Sequence, residues 1–349
     1  MRLFRVRFAQ LLKPCAGIAF SKRQLAALAG ARRCHTGERR VESMLAMKEL
    51  VQIRAASRGP RRPAWLKVRL PAGDNYFELK RLLRGQALHT VCESARCPNM
   101  GECWSHRTAT FMNLGDVCTR RCGFCAVPKG RPHGAVDWAE PERVAEAAVR
   151  MGLKYSVVTS VDRDDLKDGG AAIFALTIEA LRQRIPDCKV EVLIPDFRGS
   201  DAALETVLRA RPDILNHNIE TVPRLYPVAR RGSYYERSLR LLRRSAEIAS
   251  AIPTKSGLMV GLGETLEEVR AVLDDLAAAG VAIVTIGQYL RPSREQLPVA
   301  RFYTPEEFAA LRREGLRLGI RHVESGPLVR SSYHAHEQTA SLRNGLVHP

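Results

Sequence analysis

The chain has 349 residues, 45% of them apolar, and a formal net charge of +18. That suffices for the core of one large domain or two ordinary ones, and no run approaches the ~18 apolar residues of a membrane span. The charge is lopsided: residues 1–62 hold 15 Lys and Arg against Glu38, Glu42 and Glu49, so the excess sits in a leader. A partner for a uniformly basic surface, nucleic acid above all, is disfavoured on that ground.

In chain order, residues 1–62 read as a basic, disordered arm. No acid precedes Glu38, and eight basic residues fall in that span. The same composition suits a mitochondrial transit peptide, and Met44 or Met47 offers a later start. Gly59-Pro60-Arg61-Arg62-Pro63 breaks the arm from the body. Asp74–Arg84 reads as a helix with Tyr76, Leu79, Leu82 and Leu83 on one face. Six of the nine cysteines then crowd into residues 92–125, a metal-ligand pattern rather than a disulfide one. Cys15, Cys34 and Cys188 stand alone and receive no role.

Beyond the cysteines, apolar β-rich runs at Thr110–Leu114, Tyr155–Thr159, Val190–Ile194, Ile214–Ile219, Lys255–Val260 and Ile283–Tyr289 predict six strands. Helical patterns separate them at Pro141–Arg150, Ala171–Arg184, Asp201–Ala210, Glu236–Ser250 and Leu266–Ala279. Thr265 with Glu268, and Thr304 with Glu307, have capping-box spacing. Such alternation demands parallel pairing. No Gly-x-Gly-x-x-Gly follows the first strand, which weakens a dinucleotide-binding fold. Polar residues instead close several strands, at Thr159/Ser160/Asp162, Asp196, Asn216/Asn218/Glu220, Glu264 and Gln288, as in barrels that build sites at one end. The predicted fold is α/β, a partial (β/α)6 TIM-type barrel over residues 109–320. His336–Pro349 reads as a frayed tail.

Cys118-x3-Cys122-x2-Cys125 lies directly after the first long strand. Three thiolates hold three irons of a [4Fe–4S] cube and leave the fourth open. An open iron can take the amino and carboxylate groups of S-adenosylmethionine, and one electron then yields a 5′-deoxyadenosyl radical. Arg120 and Arg121 would help keep these thiols ionised. The competing reading is a zinc site in a basic nucleic-acid-binding protein; the spacing, Phe124 and the place after the first barrel strand favour the cluster. Cys92-x4-Cys97-x5-Cys103 suits zinc, a cluster or structural thiols. Beside the first trio it suggests a second cluster, either an electron carrier or a source of sulfide.

Cys92-Glu-Ser-Ala-Arg-Cys97-Pro-Asn-Met-Gly-Glu-Cys103-Trp and Gly115-Asp-Val-Cys118-Thr-Arg-Arg-Cys122-Gly-Phe-Cys125 together resemble the lipoyl synthase family of the radical S-adenosylmethionine superfamily. The resemblance continues in Val158-Thr-Ser-Val-Asp-Arg-Asp-Asp165, Pro195-Asp-Phe-Arg-Gly199 and Asn216-His-Asn-Ile-Glu220. It runs on through Pro253-Thr-Lys-Ser-Gly-Leu-Met-Val-Gly-Leu-Gly-Glu264, Gly287-Gln-Tyr-Leu-Arg-Pro292 and Ser325-Gly-Pro-Leu-Val-Arg-Ser-Ser-Tyr-His-Ala335, so about residues 64–337 are covered and the arm is not. It implies a sulfurtransferase that inserts two sulfur atoms at C6 and C8 of an octanoyl group on a lysine of a lipoyl-carrier domain. Two S-adenosylmethionine molecules are used, and the auxiliary cluster is consumed as the sulfur source. Cys118, Cys122 and Cys125 would hold the cluster that binds S-adenosylmethionine. Cys92, Cys97 and Cys103 would hold the auxiliary one, with Ser332, rather than Ser331, as fourth ligand. Residues 63–108 then form a cluster-binding extension and residues 321–349 a C-terminal segment carrying the serine.

Asn216, Asn218, Glu220 and Lys255 are candidates to hold the ribose, amino and carboxylate groups of S-adenosylmethionine, or else cap strand ends. Gly257, Gly261 and Glu264 are candidates to let backbone approach its methionyl or adenosine part. His217 reads as packed, and Asp162, Asp164 and Asp165 as paired carboxylates or as loop ion pairs with Arg163 and Lys167. The implied partners are carrier domains of the 2-oxoacid dehydrogenase E2 and glycine-cleavage H types, with a reduced ferredoxin or flavodoxin as electron donor, and neither nucleic acid nor membrane. The short span from Trp104 to Thr110 resembles bacterial members, which predicts a cytoplasmic enzyme; the alternative is the mitochondrial matrix if the arm is a transit peptide.

Overall fold

The computed structural model of the chain describes residues 60–68, 73–132 and 135–343, so the basic arm up to Gly59 lies outside the described residues. Helix α1 (Asp74–Gly85) packs its Tyr76, Leu79 and Leu83 inward, as its periodicity predicts. A two-residue strand, β1 (His89–Thr90), and the short helices α2 (Val91–Ser94) and α3 (Met100–Ser105) follow. Runs of Val, Ile and Leu without alternation are what strands buried on both faces require. They form β2 (Thr110–Asn113), β3 (Tyr155–Ser160), β4 (Lys189–Leu193), β5 (Ile214–Asn216), β6 (Thr254–Val260) and β7 (Ile283–Gln288).

Between them lie α4 (Glu140–Met151), α5 (Ala171–Arg184), α6 (Asp201–Arg209), α7 (Tyr226–Ala229), α8 (Tyr235–Ile248) and α9 (Leu266–Ala278), followed by α10 (Pro305–Arg317). Both predicted capping boxes form, at Thr265 with Glu268 and at Thr304 with Glu307. Gly152 ends α4 at φ +66°, the left-handed stop that glycine supplies without strain.

The strands form one sheet in chain order, antiparallel between β1 and β2 and parallel thereafter. The order does not close on itself, so the barrel is partial. It holds seven parallel strands rather than six, because β8 (His322–Gly326) adds to β7 within the predicted C-terminal segment. Strand β8 escapes a hydrophobic search because only Val323 of its five residues is buried. Helices α4, α5 and α6 cover one half of the outer wall through Val144, Ala148, Ile178, Leu181, Leu204 and Val207. Helices α9 and α10 cover the other through Val272, Leu273, Phe308 and Leu311.

The predicted frayed tail is instead a helix, α11 (Ala335–Arg343), as far as Arg343; residues 344–349 lie outside the described residues. It carries no apolar stripe, so periodicity could not find it. Polar contacts hold it: the Gln338 amide donates to the Tyr333 carbonyl at 2.8 Å, and the buried Thr339 hydroxyl meets Tyr155 Oη at 2.8 Å. Tyr155 in turn donates to Glu191 at 2.7 Å, which anchors α11 to strands β3 and β4. Thr339→Val should therefore cost about 1 kcal/mol, the worth of one buried hydrogen bond. A chain ending at His334 should lose more. Urea midpoints measure both, and an unchanged midpoint for the truncated chain would show that α11 adds no stability.

Candidate active site

The segment Gly115–Gly130 leaves the carboxyl end of β2, where a barrel gathers its site loops. It is held as a rigid body by backbone bonds to three neighbours. Cys118 N–H donates to Pro128 at 2.8 Å, Thr119 N–H to Asp162 at 3.0 Å and Gly123 N–H to Ala229 at 2.8 Å; Leu297 N–H donates to Gly123 at 3.0 Å. Gly123 must lack a side chain, since a Cβ would come within 2.8 Å of the Val228 carbonyl and 3.0 Å of Leu297. Cys118, Cys122 and Cys125 thus face one region, close enough for an ionised Cys125 to disfavour ionisation of the other two. Burial pushes the Cys118 thiol up to about 12 and raises Cys122 and Cys125 as well.

Arg120 does not serve these thiols, contrary to the sequence expectation. Its guanidinium is buried and fully occupied. It bonds both oxygens of Asp164 at 2.8 Å, Asp196 at 2.5 Å and the Ser233 hydroxyl at 2.9 Å. Arg237 adds a bond to the other Asp196 oxygen at 2.9 Å. Burial opposes the Asp196 charge, yet these guanidiniums hold its carboxyl well below the usual range. The cage ties the cysteine loop to the loops after β3 and β4 and to the start of α8. The cations that do favour ionised thiols are Arg230 for Cys122 and Lys129 for Cys125, neither flagged by the sequence. Asp162 accepts from the Cys118 thiol at 3.7 Å, and Asp165 pairs with Arg163 at 2.8 Å.

The second trio lines a small pocket with Asn99, Met100, Arg330, Tyr333 and Ser332. Its thiols interact with one another, and burial lifts Cys92 and Cys103 to about 12. The indole Nε1 of Trp104 is buried without a hydrogen-bond partner, beside Cys92, and would stabilise a thiolate there. Three thiols, a hydroxyl and an orphaned N–H donor fit an iron–sulfur cluster, whose sulfurs accept hydrogen bonds. Among the described residues no three Cys, His, Asp or Glu side chains converge tightly enough for a single metal ion, as zinc would need. Irons at separate corners of a cube take thiolates that stand further apart. The two serines part company: Ser332 lines the pocket, whereas Ser331 donates to Asn218 Oδ1 at 2.8 Å on the barrel side.

Several residues expected to meet S-adenosylmethionine are committed elsewhere. Lys255 Nζ is wholly buried against both Glu191 oxygens at 2.8 and 3.1 Å, and Asn216 donates to the same carboxylate at 2.9 Å. Glu264 accepts the N–H groups of Gly261 at 2.5 Å and Leu262 at 2.9 Å, closing the turn after β6. Gly261, at φ +100°, makes room for the Gln288 amide and the Arg301 carbonyl rather than for a ligand. A Cβ on Gly257 would meet Thr285, Asn218 and Ser331, so its space is used from within. Asn218 and Glu220 do face the first trio's side of the barrel, 3.2 Å apart. Glu220 takes φ +68°, and burial raises its pKa against the opposing charge of Arg230. His217 is packed, bonded to Ile194 and Ser238, and burial takes it down to about 3.

Residues 112–276 match the radical SAM superfamily, and residues 36–97 match the N-terminal domain of lipoyl synthase of that family. The chain is 61% identical over 300 residues to a lipoyl synthase of Koribacter versatilis, covering 86% of this chain and 98% of that one. It is 60% identical to that of Rubrobacter xylanophilus, over 82% and 89% of the two chains, and 58% identical to that of a Roseiflexus species, over 83% and 97%. The match from residue 36 reaches further back than the motifs do, so the second half of the basic arm shares in the resemblance.

The Lys255–Glu191 pairing makes its own prediction. Lys255→Met strands a buried carboxylate and should cost about 3–5 kcal/mol, while Lys255→Met with Glu191→Leu should recover most of it. Denaturation midpoints of the single and double variants measure the difference. A Lys255→Met protein of full stability that no longer binds S-adenosylmethionine would restore the ligand role.

Proposed function

The chain belongs to the lipoyl synthase family, and from that premise we propose which residues carry each part of the reaction. It is a sulfurtransferase that converts a carrier-bound octanoyl group to a lipoyl group, with S-adenosylmethionine and two [4Fe–4S] clusters as its cofactors. Unactivated C6 and C8 hydrogens lie beyond any side-chain base, and S-adenosylmethionine on its cluster supplies the 5′-deoxyadenosyl radical that can take them.

Cys118, Cys122 and Cys125 would hold the cluster that binds S-adenosylmethionine, which would supply the electron for its cleavage. Asn218, Glu220 and Arg230 offer the nearby polar contacts, and Asp162 sits at hydrogen-bonding distance from the Cys118 thiol. Arg230 among them is buried, and the apolar side chains packed against Cys118 and Cys125 help keep water from the site. Cys92, Cys97, Cys103 and Ser332 hold the auxiliary cluster, the sulfur-donating substrate. The observation that carries this reading is the pocket where Ser332 joins all three upstream cysteines while Ser331 is bonded elsewhere. The finer partners follow from the family: E2 and H-protein carrier domains, and a ferredoxin or flavodoxin donor. The bacterial relatives support a cytoplasmic site of action, and no helix among the described residues is long and apolar enough to cross a membrane.

Separable steps test the assignment. Cys118→Ala, Cys122→Ala or Cys125→Ala should abolish S-adenosylmethionine cleavage and all product. Cys97→Ala should still release 5′-deoxyadenosine but no lipoyl product, read by mass on an octanoyl-lysyl carrier under anaerobic conditions. Ser332→Cys should assemble a cluster yet slow sulfur transfer, because oxygen is the harder, less matched ligand for these irons and releases them more readily. Normal lipoyl yield from Cys97→Ala would sink the sulfur-source assignment, and normal yield from Ser332→Cys would remove the lability argument.

A further inference from the structure

Three consecutive residues after β8 turn to three different places. Ser332 lines the pocket of the upstream cysteines. Ser331 donates to Asn218 Oδ1, whose amide donates to Glu220 at 3.2 Å. Arg330 is half-buried in the pocket of the auxiliary trio, donates from Nη1 to the Val329 carbonyl at 2.6 Å, and carries a charge that acts on both Cys97 and Glu220. Glu220 also acts on Cys122 and Cys125. One short strap therefore lines the upstream cysteine pocket and is tied, through Asn218 and Glu220, to the side of the barrel that carries the other trio.

The strap is clamped from two sides. On the extension, Asn99 donates to the Leu328 carbonyl at 2.7 Å and Tyr333 Oη donates to Glu102 at 3.1 Å. On the barrel, two glycines clear its bed. A Cβ on Gly287 would run into the Val329 carbonyl and come within 3.1 Å of Arg330 Nη1. A Cβ on Gly257 would come within 3.0 Å of Ser331 Oγ. These glycines sit on adjacent strands, where Gly257 pairs with Thr285 and Gly287 with Met259. Glycine inside a strand commonly marks close approach by another backbone, and here that backbone is the chain's own.

We propose that Arg330 and Ser331 are positioning residues that set the separation of the two cluster sites, Ser331 pinning the strap to Asn218 and Arg330 seated in the pocket of Cys97. The inference rests on the cluster assignments proposed above. Sulfur insertion needs the substrate carbon, once its hydrogen is removed, to lie against a sulfide of the other site. A strap loosened at residue 331 leaves all six cysteines in place and Ser332 within its pocket, and spoils the register of the two sites. The signature is therefore uncoupling, with cleavage continuing and product falling.

The test uses the full chain carrying both clusters, with Ser331→Ala, Ser331→Thr and Arg330→Gln. Iron and acid-labile sulfide are counted, and lipoyl product is measured per 5′-deoxyadenosine on an octanoyl-lysyl carrier. Amide hydrogen exchange over residues 328–333 is followed with neither S-adenosylmethionine nor carrier present. We expect full cluster content in Ser331→Ala, a fall of about fivefold or more in product per cleavage, and faster exchange in the strap. Ser331→Thr keeps the hydroxyl and should restore both. An unchanged product ratio in Ser331→Ala with intact clusters overturns the proposal, as does a slowed strap exchange. Loss of auxiliary iron from Ser331→Ala but not from Ser332→Ala would overturn the choice of Ser332 as ligand instead. Should Arg330→Gln fail to fold, the two Ser331 variants decide alone.

Discussion

Desolvation of six thiols is the constraint around which the rest of the structure is arranged. Burial is the largest influence on every one of them and disfavours the thiolate in each case. Iron bound there would supply the positive charge that makes six desolvated thiolates tolerable, and Cys92 is the most enclosed of them. The protein's own contributions are partial: Arg330 toward Cys97, Arg230 toward Cys122, Lys129 toward Cys125, and the Trp104 indole toward Cys92. Apolar walls do the drying. Met112, Leu114, Val127 and Val161 pack against Cys118 and Cys125, and Trp104 lies against Tyr76 at 5.1 Å in the wall beside Cys92. The same dryness that burdens the thiols protects a radical from quenching.

Loops that carry such thiols cannot be left to find their own shape, and the Arg120 cage answers that need. A buried guanidinium with two carboxylates and a hydroxyl around it is costly to desolvate, and a hydrophobic substitute of the same volume could match it in stability. What it adds is direction. Its four hydrogen bonds fix the cysteine loop against two strand-end loops and the approach to α8 at once, and no apolar contact sets angles so narrowly. The Glu191 cluster does similar work inside the barrel, where Lys255, Asn216 and Tyr155 all converge on one carboxylate.

How much of this the sequence displayed depends on the range over which each feature is written. Six of the parallel strands, the wall helices and the capping boxes are encoded within windows of a few turns, and they were legible to within one or two residues except at Ile214–Ile219, where the strand stops at Asn216. The two cysteine trios were legible as candidate ligand sets because each lies within a dozen positions. Strand β8 and helix α11 were not, because their partners are polar groups on β7, β3 and β4, far away in sequence. Lys255 shows the cost of reading a strand-end charge alone: without Glu191, 64 positions upstream, a ligand role was as good as any. Ser332 came only from family resemblance, since a hydroxyl in a turn carries no signal of its own; in the fold it lines the pocket of the three upstream cysteines.

The glycines carry this argument one step further. Gly257 and Gly261 sit in a motif that invites a ligand reading, because glycine lets backbone approach a cofactor. In the fold, each vacancy is already taken: Gly261 by Gln288 and Arg301, Gly257 by Asn218, Thr285 and Ser331. Gly287 is filled the same way by Val329 and Arg330. Residues 329–331 cross β6 and β7 at Gly257 and Gly287, and residues without side chains let that strap lie low on the sheet. These two glycines therefore mark the path of the strap across the barrel.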